Sequence, residues 1–156
     1  MHIRLIAVGD RQPSWVDEAF DGYLKRLPQQ WKFRLDTVAT EKRSKGNDAV
    51  VAVEAEGRKV LGYLKDGEQL VVLDERGTEL SSVGLSRKLL AWQSTGRDLS
   101  FVIGGPDGVS KDVTARGDFR WSLSRLTLPH GLARVLFAEQ LYRAWTVSTA
   151  HPYHRR

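Results

Sequence analysis

The apolar run Leu99-Ser100-Phe101-Val102-Ile103 opens directly into Gly104-Gly105-Pro106-Asp107-Gly108. Two glycines at the end of a buried strand let backbone approach a ligand where a Cβ would collide. Further on, Trp121-Ser122-Leu123-Ser124-Arg125-Leu126-Thr127-Leu128-Pro129-His130 alternates hydroxyls with leucines, and the chain closes on His151-Pro152-Tyr153-His154-Arg155-Arg156. Imidazoles, a phenol and guanidinium groups at one end can move a proton, stack on a base and neutralise an anion. In this order the segments describe a pocket with a reactive edge. Taken alone, Gly-Gly-Pro-Asp-Gly is also the composition of a plain turn. It is not Gly-x-Gly-x-x-Gly, and no Gly-Lys-Ser/Thr occurs, so hydride transfer and nucleotide hydrolysis both lose ground.

The elements that must position these residues follow from two alternating periodicities. Residues 2–8 read as a strand. Ser14, with Asp17 three residues on, reads as the N-cap of a helix whose stripe is Val16, Phe20, Tyr23, Leu24 and Leu27, closed by Pro28. Phe33, Leu35 and Thr37 alternate like a strand, and Val50, Val53, Gly57, Val60, Leu61 and Leu64 recur at helical spacing. Leu70-Val71-Val72-Leu73 is a strand buried on both faces that ends at Asp74. Ser81 or Ser82 caps a helix carrying Leu85, Leu89 and Trp92. After the strand 99–103 come a helical turn near 110–115, a strand-like segment 121–128 and a helix from about Leu132 to Ser148. Such alternation predicts an α/β fold: a single domain with a mainly parallel sheet of about five strands, helices on both faces.

In open parallel sheets a ligand sits beyond the carboxyl ends of the strands. Here two such ends, Leu73-Asp74 and Ile103-Gly104-Gly105, can hydrogen-bond an adenine edge, with Ser122–Leu128 as a third wall. The last helix is apolar on almost every side and must be covered on every side, which argues for a homodimer. The alternative is a central helix of a monomer.

Composition narrows the rest. The 156 residues contain no cysteine, which excludes disulfides, thiolate catalysis and cysteine-based zinc sites. His130, His151 and His154 lie at or beyond the start of the last helix, but nothing resembles His-Glu-x-x-His, so no metal is expected. The amino terminus lacks a signal peptide's apolar core, and no run approaches a membrane span, so a soluble, cytoplasmic protein is expected. The net charge of +5 favours a polyanionic partner. The basic loop Glu41-Lys42-Arg43-Ser44-Lys45-Gly46-Asn47 points the same way, though it is equally an ordinary solvated loop.

Several segments together are far more specific than any one. Leu-Ile-Ala-Val-Gly at the start, Trp15, Tyr23 and Leu73-Asp74 combine with Ile103–Gly108, Ser122-Leu123-Ser124, Leu126–His130, Glu139-Gln140-Leu141-Tyr142-Arg143-Ala144-Trp145 and His151–Arg155. End to end, the chain resembles the RlmH family, small bacterial rRNA methyltransferases of the SPOUT class. The resemblance implies a carboxyl-terminal trefoil knot, an obligate homodimer, and S-adenosyl-L-methionine as methyl donor. It also implies a substrate: N3 of a pseudouridine in helix 69 of 23S rRNA, in the assembled ribosome. One departure is Ala150, where the family pattern suggests a polar residue, often asparagine.

Carried over, the resemblance puts Leu73, Gly104, Gly105, Ser122, Leu123, Ser124, Arg125, Leu126, Thr127 and Leu128 around the cofactor. The reaction it implies is an in-line displacement, in which N3 attacks the methyl carbon after losing its proton. His151, His154 or Glu139 would take that proton. Arg143 or Arg155 would stabilise the anion, and Tyr153 would contact the substrate. Glu139 and Arg143, four apart, could equally be a simple helix pair. Two rival functions stay open: a non-catalytic ribosome-binding factor, and a SPOUT-type methyltransferase acting on tRNA.

Overall fold

Side chains along each strand alternate between two apolar layers. Ile3, Leu5, Ala7, Val71, Leu99, Phe101 and Ile103 enter one core, and Ile6, Val8, Leu70, Val72 and Val102 the other. The computed structural model describes residues 1–9, 11–43 and 49–154. Strands β1 (Ile3–Val8), β2 (Arg34–Val38), β3 (Gln69–Glu79), β4 (Leu99–Ile103) and β5 (Phe119–Ser122) form one sheet of order β2-β1-β4-β3-β5. Every pairing is parallel. Helices α1 (Ser14–Leu24), α3 (Ser82–Ser94) and α5 (His130–Ser148) feed the first core; α2 (Ala49–Tyr63) and α4 (Lys111–Arg116) feed the second. The expected α/β sheet of five strands, covered on both faces, is what the chain forms.

Four local expectations are corrected. Helix α1 begins at Ser14 itself: Pro13 is the N-cap and no side chain caps the end. Proline presets the entry dihedral there, so a hydroxyl cap is dispensable. In α2 the buried face is Ala52, Glu56, Gly57 and Val60, while Val50 is exposed, because a buried carboxylate occupies a place where the apolar stripe expected none. Strand β3 does not end at Asp74. Its register shifts between Leu73 and Thr78, and it then pairs on with β5 through Thr78 and Glu79. A bulge of this kind is possible because Gly77 comes so close to Arg120 that a Cβ would lie 2.7 Å from its carbonyl carbon. Finally, β5 covers only Phe119–Ser122, and 123–128 is irregular chain, its alternation serving a loop rather than a strand.

Helix α5 also answers its own apolarity differently. Phe137, Ala138, Leu141, Tyr142 and Ala144 are buried within this chain, between the sheet and helices α1 and α3. What stays exposed is confined to its first turns, at Leu132 and Leu136; the start of α5 approaches α1 at Val16, whose neighbour Trp15 is also exposed. Its carboxyl end is closed by a Schellman motif. The His151 N–H reaches the Thr146 carbonyl at 2.9 Å and the Ala150 N–H reaches Val147 at 3.5 Å. Ala150 adopts a left-handed φ of 56°. That conformation is the physical reason an asparagine suits this position.

Candidate active site

Where β3 and β4 pair for the last time, at Leu73 opposite Ile103, the sheet opens onto a cavity of about 710 Å³. That is the size range of small-molecule sites. Of the residues expected around it, Leu73, Gly104, Gly105, Leu123, Ser124, Leu126, Thr127 and Leu128 line it. The turn 104–108 supplies one wall and segment 123–128 another. Gly104 is required by geometry: a Cβ there would lie 2.6 Å from the Gly108 carbonyl carbon. Ser122 lies outside the lining and shapes it, donating from Oγ to the Ser124 carbonyl at 3.0 Å while Ser124 Oγ accepts from Leu126 N–H. Arg125 turns away to solvent and pairs with Glu79 at 2.5 Å.

Charged groups rim this cavity, and of them the sequence placed only Asp74 there. Asp74, Glu75, Arg76, Lys111 and Arg120 all line it. Burial works to raise the Asp74 pKa, but the Arg76 N–H and the Arg120 guanidinium outweigh it and hold the carboxyl below its usual value. Arg120 reaches Asp74 Oδ2 at 2.6 Å. The signal was available, since Asp74 ends the apolar run of β3, but Arg120 is 46 positions away and only the β3–β5 pairing joins them.

His130 opens α5 and does more than begin it. Its Nδ1 meets the Gly104 carbonyl at 3.1 Å, and its Nε2 meets Arg134 Nε at 3.2 Å. Because the carbonyl accepts and the guanidinium donates, the ring carries its proton on Nδ1 and offers a lone pair at Nε2. Burial, with the neighbouring Arg134 charge, pushes the His130 pKa down. Arg134 is itself buried and donates on to the Gly9 carbonyl. A neutral imidazole thus ties Gly104, at the cavity wall, to α5 and to the end of β1.

The expected catalytic residues gather elsewhere. Glu139 accepts from Arg143 Nε at 2.8 Å, from the Tyr153 hydroxyl at 3.1 Å and from Gln140 at 2.6 Å. Tyr153 packs against Tyr142 with the rings tilted by 58° and centroids 4.6 Å apart, and Arg143 lies 5.1 Å over its ring. Burial, then a hydrogen bond with Tyr23 and the Glu139 charge, push the Tyr153 phenol up to about 12. His151 rests against Tyr142 and Trp145, its Nδ1 accepting the Tyr153 N–H at 3.1 Å. His154 Nδ1 is buried with no hydrogen-bond partner among the described residues. Arg155 and Arg156, with loop residues 44–47, lie outside those residues.

None of this second cluster lines the cavity. Ala133 is the cavity's one wall residue on α5, and Arg143 stands ten residues along the helix, or about 15 Å at 1.5 Å per residue. One chain therefore holds the pocket and this second cluster apart, at different stations of one helix. Among the described residues no three His, Asp or Glu side chains are grouped to hold a metal ion, and no helix is long and apolar enough to cross a membrane.

The profile of the family described as "Predicted SPOUT methyltransferase" matches residues 1–154. The chain is 45% identical over 155 residues to Ribosomal RNA large subunit methyltransferase H of Burkholderia cenocepacia (strain HI2424), covering 99% of each. It is 44% identical over the same length to the protein of that name in Burkholderia ambifaria (strain MC40-6), again with 99% of each covered. Among solved structures, a methylase family protein from Neisseria gonorrhoeae superposes with a TM-score of 0.59 at 14% identity, over 99% of this chain and 86% of that one. Another, from Haemophilus influenzae Rd KW20, gives 0.55 at 11% identity over 99% and 70%. At those identities the two structures speak for a shared fold alone.

Proposed function

The chain belongs to the SPOUT methyltransferase family, and from that premise we propose that it methylates N3 of a pseudouridine in large-subunit ribosomal RNA, on assembled ribosomes, using S-adenosyl-L-methionine. The observation that carries this reading is the glycine cradle: Leu73 and Gly104-Gly105 line a cavity of about 710 Å³, and the turn at its wall has no room for a Cβ at 104. The residues present fit the cofactor. Backbone at 104–105 and 124–128 suits the edge of a purine, and Leu73, Leu123, Leu126 and Leu128 suit its faces. When bound, the cofactor supplies an electrophilic methyl group; the protein's task is alignment and proton removal.

For the proton, the hydrogen bonds favour His154 over His151. The Nδ1 lone pair of His151 is already engaged by a backbone N–H, which leaves the proton on Nε2 of the neutral ring. His154 keeps an unused Nδ1. Glu139, saturated by three donors, serves as the anchor of Arg143 and Tyr153 rather than as the base. Arg143 then stabilises the anionic pyrimidine, and Tyr153, protonated at neutral pH, presents its ring or hydroxyl to the substrate.

The protein acts as a homodimer in which the tail cluster of one protomer completes the pocket of its partner. Support comes from the separation of the two clusters along α5 and from the exposed Trp15, Leu132 and Leu136 near that helix's start. The family's trefoil knot fits the convergence of turn 104–108 and segment 123–128 on one cavity. A ribosomal substrate implies the cytoplasm. The deciding experiment follows labelled methyl from S-adenosylmethionine into ribosomes lacking the modification, with free ribosomal RNA and tRNA alongside. Label on a pseudouridine of the large subunit in intact ribosomes is expected. Label on tRNA alone would favour the transfer-RNA enzyme, and none anywhere the non-catalytic ribosome-binding factor.

A further inference from the structure

A buried carboxylate outside the catalytic machinery sits behind the cofactor turn. Glu56, on α2, is 2% exposed. It accepts the Glu41 main-chain N–H at 2.9 Å, and Arg43 Nη1 at 2.7 Å. A buried carboxylate left without a cation would be costly, so Arg43 is held where Glu56 puts it. From there its Nε reaches forward to Asp107 Oδ2 at 3.0 Å. Asp107 belongs to the turn 104–108, and a Cβ built on Gly105 would lie 3.6 Å from Glu56 Oε1, so the turn rests directly over this carboxylate. Arg43 itself does not line the cavity.

We infer that Arg43 is a positioning residue for the cofactor turn: braced on Glu56, it grips Asp107 and fixes turn 104–108 in the shape that receives S-adenosylmethionine. The inference rests on the reading of that cavity as the cofactor site. Among the described residues the turn's other links are local or at its start: His130 fastens its first residue, and a bridge between Gly105 and Gly108, with the Gly108 N–H 3.1 Å from the Gly105 carbonyl, closes it. Without the Arg43 bridge, the half with Asp107 would have to be ordered at the cost of binding energy each time the cofactor arrives. Only the forked, planar guanidinium serves both carboxylates at once; a lysine has one charged nitrogen and no fork.

The test uses full-length protein with the variants Arg43→Lys, Asp107→Asn and the pair together. Each single change keeps a cation beside Glu56, so the fold is spared. Binding of S-adenosylhomocysteine by calorimetry and the melting temperature are read in parallel. Each single variant is expected to raise Kd by roughly five- to tenfold, as for loss of one charged hydrogen bond. The double variant is expected to be no worse than either, and all three to melt within about 2 °C of wild type. Wild-type affinity in Arg43→Lys would overturn the inference. So would independent, multiplying losses in the double variant, which would mean that Asp107 meets the cofactor by itself. Failure of the wild type to bind S-adenosylhomocysteine would overturn the cofactor reading, and with it this one.

Discussion

Replacing Ala150 should stabilise the protein. The residue closes α5 in a left-handed conformation, φ 56°, held by the Thr146–His151 and Val147–Ala150 hydrogen bonds. For an alanine, that conformation costs about 1–2 kcal/mol, because its Cβ crowds the following carbonyl. Ala150→Gly removes the crowding but gives back about 0.4–1 kcal/mol in the freer unfolded chain. The net expectation is a gain of about 0.5–1 kcal/mol. Ala150→Asn keeps a Cβ yet tolerates the left-handed region, and loses nothing in the unfolded chain, so a similar gain is expected. For a domain of this length about 1 kcal/mol moves the melting temperature by about 2–4 °C. Thermal melts of both variants, checked against urea midpoints, measure it. A melting temperature at or below wild type in both would refute the reasoning, since it would show that the alanine pays no conformational penalty.

Gly104→Ala should abolish measurable binding of S-adenosylhomocysteine and lower stability, because the new Cβ meets Gly108 backbone at 2.6 Å; Gly105→Ala, tightest against the Val8 side chain at 3.1 Å, should be milder, and the reverse order of affinities would count against the cradle. Stability should fall on acidification. The His130 pKa is lowered on folding, chiefly by burial, so below its unfolded value of 6.5 the unfolded chain binds a proton that the native state refuses. The stabilisation is present above that value and is lost as the pH falls through the folded pKa; His130→Asn should flatten this part of the pH profile of unfolding, and an unchanged slope would exclude His130 as its source. His154→Gln should cut turnover by about 100-fold at unchanged cofactor affinity, the scale of a lost general base, whereas turnover kept in His154→Gln and lost in His151→Gln would reverse the assignment.

Much of the fold was legible because buried parallel strands write themselves plainly. The runs 70–73 and 99–103 are apolar on both faces, and Ser81 is a true cap, accepting the Gly84 N–H at 3.0 Å. What could not be read depends on partners distant in the chain. The extension of β3 past Asp74 needs Gly77 against Arg120, and the burial of Glu56 needs Arg43 and the turn above it. The cavity wall was legible from its glycines and leucines. Its charged rim was not, since Asp74 and Arg120 meet only after β3 and β5 pair. Glu139, Arg143, His151 and Tyr153, expected to do the chemistry, do meet in one cluster, but periodicity carries no information on how far that cluster stands from the pocket.

That distance has a consequence for mixtures. If pocket and proton-handling cluster come from opposite protomers of a two-fold dimer, a lesion in each can be sorted away from the other. A protein crippled at Gly104 and another crippled at His154 are each inert alone. Reassorted, a mixed dimer carries both lesions in one site and neither in the second. Random exchange of equal amounts would then restore roughly a quarter of all sites to wild-type composition. Two dead proteins would make a live one, whereas a site built within one chain would leave the mixture as inert as its parts.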